Sequence, residues 1–151
     1  MSKQVTNKSE DRPHSKYDRL IKAAKAIPPA STLVVHPCDE SSLRGVVEAA
    51  EEGLIKPTLV GPAAKIREAA SKHGIDIGGY EVIDAPHSEA AAAKAVEMIH
   101  EAKGEMLMKG SLHTDELMRS VTAKTGLRTE RRISHGGQLR ILVQAVDRRG
   151  A

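Results

Sequence analysis

Apolar residues recur along this chain in two alternating rhythms. Leu20, Ile21, Ala24 and Ile27 follow helical spacing from about Tyr17 onward, and Pro28-Pro29 ends the run. Leu33 to Val35, inside STLVVHP, is a short run of the kind shown by a parallel strand buried on both faces. A helix is predicted next, from about Ser42 to Glu52. Asp39 or Ser41 serves as its cap, Gly53 as its stop, and Leu43, Val46, Val47 and Ala50 share one face. Thr58 to Val60 is a second strand, and Pro62 opens a helix whose Ile66, Ala69 and Ala70 face inward as far as His73-Gly74.

The alternation then repeats. Glu81 to Asp84 reads as a strand, followed by an Ala-rich helix capped by Ser88 and running to about Lys103, with Ala92, Ala95, Val96 and Ile99 inward. Met106 to Met108 is a further strand, and Thr114 caps a helix to about Lys124 through Leu117, Met118 and Val121. Leu139 to Val146 fits a last strand but also fits a helix. Strand and helix alternating at these intervals leave no room for hairpins, so the strands are predicted to be parallel. Right-handed crossovers then give an α/β fold, a three-layer, doubly wound, mostly parallel sheet.

The first 14 residues are polar and unpatterned, and are expected to be a disordered leader. Phe and Trp are absent and only two Tyr occur, so the core must be built from Ala, Val, Leu, Ile and Met, which suits helices lying close on a sheet. The single Cys38 excludes an intramolecular disulfide. No stretch approaches the roughly 20 apolar residues of a membrane span, and the polar start lacks the apolar run of a secretory signal, so a cytoplasmic protein is expected.

The net charge of +3 is unevenly placed: residues 1–124 carry 17 Lys and Arg against 18 acids, whereas residues 125–151 carry 6 Arg against 2 acids. Single-strand binders stack bases on aromatic side chains, which are scarce here, so nucleic acid is not expected as a partner. A clustered basic segment serves any phosphate-rich ligand equally well.

In a doubly wound sheet, ligands bind beyond the carboxyl ends of the strands. His36, Cys38 and Asp39 follow the first strand, His87 and Ser88 the third, and Lys109, Ser111, His113 and Thr114 the fourth. The last group has two readings. Either Gly110 lets the backbone approach an anion held by Lys109, the hydroxyls and the helix amides, or Gly110 is a turn residue and Thr114 a cap. Cys38 stands between a strand and a helix start, a place that favours a thiolate, but no base for it is evident nearby in sequence. His36, Cys38, His87 and His113 match no metal-ligand spacing, so no metal site is expected.

Taken together, VVHPCDESSLRGVVEAAEEGLIKPTLVGP, PHSEAAAAKAVEMI, MLMKGSLHTDELMRSV and TGLRTERRISH resemble the N-terminal portion of the phosphate acetyltransferase and phosphate butyryltransferase family, from about Tyr17 to His135. The resemblance implies one lobe of an isocitrate/isopropylmalate dehydrogenase-like fold, spanning residues 15–135. It also implies an acyltransferase that moves an acetyl or butyryl group between coenzyme A and inorganic phosphate. Coenzyme A is then a substrate, and no cofactor is expected. The other small-molecule substrates are acyl phosphate and phosphate. Carried over by position, Lys109, Gly110, Ser111 and Thr114 form the loop facing the substrate cleft. Arg119 and Arg132 become candidate partners for phosphate or for the anionic groups of coenzyme A; a guanidinium fork can give phosphate two parallel hydrogen bonds. The catalytic groups are not identified.

Residues 136–151, GGQLRILVQAVDRRGA, depart from the family pattern, and members continue into a second lobe. The chain is therefore expected to be incomplete, inactive by itself, and to associate into a homo-oligomer. The alternative is a non-catalytic phosphate- or coenzyme A-binding module, or a diverged paralogue. A dehydrogenase activity is disfavoured because the acidic metal-binding set it requires is not visible.

Overall fold

A computed structural model describes residues 12–127 and 143–145. Five helices and five strands follow in order: α1 (Arg12–Lys25), β1 (Ala30–Val35), α2 (Glu40–Glu51), β2 (Ile55–Gly61), α3 (Ala63–Lys72), β3 (Glu81–Asp84), α4 (Ser88–His100), β4 (Met106–Lys109), α5 (Thr114–Thr122) and β5 (Val143–Ala145). The sheet order is β3-β2-β1-β4-β5. The first four strands are parallel, with Val34 opposite Leu59 on one side and Met108 on the other. β5 is antiparallel to β4, so the last predicted strand exists over Val143–Ala145 and the helical alternative fails there.

Period-2 alternation along β1 sends successive side chains to opposite faces and builds two cores. Val34 joins Leu43 and Val46 of α2, Ile66 and Ala70 of α3, and Leu59 in one layer. Leu33 and Val35 join Ala91, Ala92 and Ala95 of α4 and Leu117 and Val121 of α5 in the other. The result is the expected three-layer α/β architecture. Alanine lines the buried face of α4 because small side chains let the helix lie close to β1 and β2.

Local chemistry explains most element ends. Asp39 caps α2, its carboxylate accepting from the Ser42 amide at 2.8 Å. The helix ends where Gly53 adopts φ +72, a left-handed conformation that costs glycine little, while Leu54 N–H bonds to Ala49 C=O. Two predicted caps move by one residue. α4 is capped by His87, not Ser88: His87 has the extended backbone of a cap, and its Nδ1 accepts from the Ala90 amide at 3.2 Å, an imidazole nitrogen doing what a hydroxyl oxygen was expected to do. α5 is entered at His113, with Thr114 already helical and no side-chain cap bond.

α1 begins at Arg12, inside the span expected to be leader. Its apolar residues Tyr17 and Leu20, and Ile27 just beyond its end, are largely uncovered, each more than 60% exposed (63%, 67% and 65%). An ion pair between Lys25 and Glu52 ties its end to that of α2.

Candidate functional site

The chain adds β2 and β3 on one side of β1, then returns to place β4 on the other. Strand order therefore reverses between β1 and β4, and the turns leaving these two strands diverge at their carboxyl ends. Here the β1–α2 turn (His36, Pro37, Cys38, Asp39) meets the β4–α5 turn (Gly110 to His113).

The two turns are laced by hydrogen bonds. Gly110 N–H donates to Val35 C=O and Ser111 N–H to His36 C=O, both at 2.8 Å. The Ser111 hydroxyl donates to His36 C=O at 2.8 Å, accepts from the Cys38 amide at 3.2 Å, and lies 3.1 Å from His36 Nδ1. His36 itself has φ +55, a conformation uncommon outside glycine. Its carbonyl, turned by that conformation, is the acceptor shared by Ser111 N–H, Ser111 Oγ and Cys38 N–H.

This geometry decides what Gly110 is for. A Cβ there would lie 2.4 Å from Val35 O and 2.5 Å from His36 O, so the residue must be glycine for its own chain's backbone to approach. Lys109 is half-buried at the end of β4, its Nζ 3.4 Å from Gly110 C=O. Thr114 is exposed on the first turn of α5. Arg119 is exposed in the last turn of α5, where a guanidinium complements the carboxyl end of the helix dipole. Arg132 lies outside the described residues.

Electrostatically, the edge holds more than the sequence indicated. Burial holds the His36 imidazole below its ordinary pKa; Lys65 of α3 lowers it further, while Glu116 of α5 and Asp39 oppose. Burial also pushes the Cys38 thiol up, against the pull of Lys65, with Asp39 adding to the rise. The expectation of a thiolate-favouring position at Cys38 is therefore corrected: desolvation outweighs the charges and favours the thiol. Lys65 and Glu116 were not singled out in the sequence, because the crossover that brings α3 and α5 to the end of β1 leaves no local signal. His87 is not part of this cluster. It caps α4 beyond β3, two strands away from β1, roughly 10 Å at sheet spacing. Among the described residues no group of three His, Cys, Asp or Glu is disposed to hold a metal ion. No described helix is long and apolar enough to cross a membrane.

A doubly wound α/β layer with its polar side chains gathered at a strand-order reversal is, as a class, a small-ligand scaffold. Comparison with known proteins narrows this. The chain is 66% identical over 122 residues to a phosphate acetyltransferase of Rhizobium meliloti, a match covering 80% of the chain and 39% of the relative. It is 45% identical over 133 residues to a phosphate acetyltransferase of Rickettsia prowazekii (87% of the chain, 38% of the relative). To a phosphate butyryltransferase of Clostridium beijerinckii it is 34% identical over 120 residues (79% and 40%). No protein-family profile matches the chain. The chain belongs to the phosphate acetyltransferase and phosphate butyryltransferase family, and its matches span about two-fifths of the length of these curated relatives (38–40%).

Proposed function

We propose that this chain forms one wall of a phosphate acyltransferase site, at which an acyl group passes between coenzyme A and inorganic phosphate. The observation that carries the reading is the 66% identity to a phosphate acetyltransferase over 122 residues. In the proposed reaction the coenzyme A thiol attacks the carbonyl carbon of an acyl phosphate and phosphate departs. Acetyl or butyryl phosphate, coenzyme A and phosphate are the substrates, and no further cofactor is required. The lobe is read as half of an isocitrate/isopropylmalate dehydrogenase-like pair, acting in the cytoplasm as a homo-oligomer.

The strand-order reversal supports the β4–α5 turn as the phosphate-facing wall. The amides opening α5 carry no side-chain cap and point outward, as at known anion sites. Asp115 and Glu116 in the same turn already answer much of that helix dipole, so the amides alone are a weak cradle. Lys109, at the end of β4, supplies the cation that tips the balance toward phosphate. Ser111 is largely spent on His36 and Cys38 and contributes shape more than binding. Arg119 stands about five residues along the helix, some 7–8 Å from its start at 1.5 Å per residue, which suits the longer reach to the phosphates of coenzyme A.

The test is calorimetric titration of the chain with coenzyme A and with inorganic phosphate. Lys109→Ala removes a charge-assisted bond of about 1.5–3 kcal/mol and is expected to weaken both by roughly tenfold or more. Arg119→Ala is expected to weaken coenzyme A but leave phosphate unchanged. Equal affinities in wild type and Lys109→Ala would overturn the assignment of this edge.

A further inference from the structure

α1 stands nearly outside the packing of its own chain. None of its residues joins either core cluster. The large apolar side chains left exposed among the described residues, Tyr17, Leu20 and Ile27, all lie on it or just past its end. Tyr17, Leu20 and Ala24 follow the i, i+3, i+7 spacing of one helical stripe. Lys16 and Arg19 border that stripe on one side, and Lys25, tied to Glu52, borders it on the other. From Lys16 onward the helix carries Lys16, Arg19, Lys22 and Lys25 against Asp18 alone. Pro28 and Pro29, with φ fixed and no amide to donate, join it to β1 by a stiff link.

A surface of matching chemistry is the groove of ≈ 560 Å³ between α2 and the connection from α3 to β3. Val47, Ile75 and Tyr80 give it apolar walls, and Glu48, Glu51 and Asp76 give it negative charge. Arg44 beside them is already answered, by Glu40 at 2.8 Å and by His73 C=O at 3.3 Å. Glu48 and Glu51 have no ion-pair partner among the described residues. No α1 residue lines this groove in its own chain. Both surfaces lie toward the amino ends of the strands, because α1 leads into β1 and the walls of the groove lead into β2 and β3. They are therefore opposite the edge where Ser111 meets His36.

We propose that α1 of one copy of this chain lies in the acidic groove of a second copy, and that the exchange is reciprocal, giving a two-fold dimer. Tyr17 and Leu20 then cover Val47, Ile75 and Tyr80, while Lys16 and Arg19 face Glu48 and Glu51. A second copy is the occupant because one chain supplies both halves: an apolar stripe with a basic border, and an apolar groove with an acidic one. A two-fold axis lets each copy satisfy the other. Pairing the two α1 helices with each other would instead set borders of like charge together. The dimer gives the proposed homo-oligomer an interface, does not depend on the acyl-transfer reading, and leaves the ligand edge open.

The test is the solution mass of the 151-residue chain, by sedimentation, with arms and grooves of reversed charge. Wild type is expected at twice 16.2 kDa, as a dimer that weakens with rising salt. Leu20→Asp, at an exposed position, is expected to give a monomer with an unchanged circular dichroism spectrum. Lys16→Glu/Arg19→Glu and Glu48→Lys/Glu51→Lys are each expected to weaken the dimer by roughly tenfold or more. An equimolar mixture of the two is expected to restore it, because each arm then meets a groove of opposite sign. Coenzyme A affinity should be equal in all of these chains, so the interface and the proposed site are tested separately. A monomeric wild type, a mixture no tighter than its components, or a dimer indifferent to Leu20→Asp overturns the proposal. A dimer that survives Glu48→Lys/Glu51→Lys overturns it in favour of α1 pairing with α1. A monomer that sediments with anionic phospholipid vesicles, and ceases to in Leu20→Asp, overturns it in favour of a membrane-surface helix.

Discussion

At the scale of single residues, the carboxyl edge is held by contacts that tolerate little change. Gly110 is the sharpest case: a methyl group there would meet two carbonyl oxygens of β1 and its turn at 2.4 and 2.5 Å, and neither can move without breaking a bond, from Gly110 N–H to Val35 C=O or from Ser111 to His36 C=O. Gly110→Ala is expected to destabilise the fold by about 1–3 kcal/mol, as overpacking of a tight site does, measured as a lower urea midpoint with unchanged slope. The same distances explain why this residue was only half legible. In sequence, a glycine between a strand and a helix signals a tight turn or a close approach, but not which partner approaches. The partner proved to be the chain's own backbone 75 positions earlier. Cys38 was misjudged for a related reason, since position before a helix is visible in sequence whereas desolvation is not.

Secondary-structure elements were more legible. Parallel strands covered on both faces read as apolar runs, and helices with one buried face read at a 3.6-residue period; β1, α2, α3 and α4 follow these patterns and fall within a few residues of their expected bounds. Their ends were less so, because His87 caps α4 through a ring nitrogen, a role that composition assigns to Ser88. β5, three residues long and paired antiparallel to β4, carried too short a pattern to separate strand from helix. The Ala-rich face of α4 gives the clearest element-scale prediction. Ala95 is fully buried against the sheet, so Ala95→Leu forces helix and sheet apart and is expected to cost about 1–3 kcal/mol by urea denaturation. Exposed Ala93 on the same helix should accept leucine with a change within about 0.5 kcal/mol.

For the whole molecule, what matters is the strand order. Alternating strands and helices announced a parallel sheet, but not that β4 returns to the far side of β1; that single choice sets Ser111 against His36 and brings Lys65 and Glu116 to the same imidazole. Of the residues expected to face a ligand, the structure gathers Lys109, Gly110 and Ser111 at this reversal and Thr114 at the start of the adjoining helix, with Arg119 at that helix's far end. The central claim is that this edge receives phosphate and coenzyme A, and backbone amide shifts of the isotope-labelled chain during titration with each ligand test it most directly. The account predicts that the largest shifts fall on Lys109 to Thr114 and on His36 to Asp39, with both sets needing roughly tenfold or more ligand in Lys109→Ala. Shifts confined to other surfaces, such as the groove between α2 and the turn before β3, with these two turns unmoved at saturation, would contradict it.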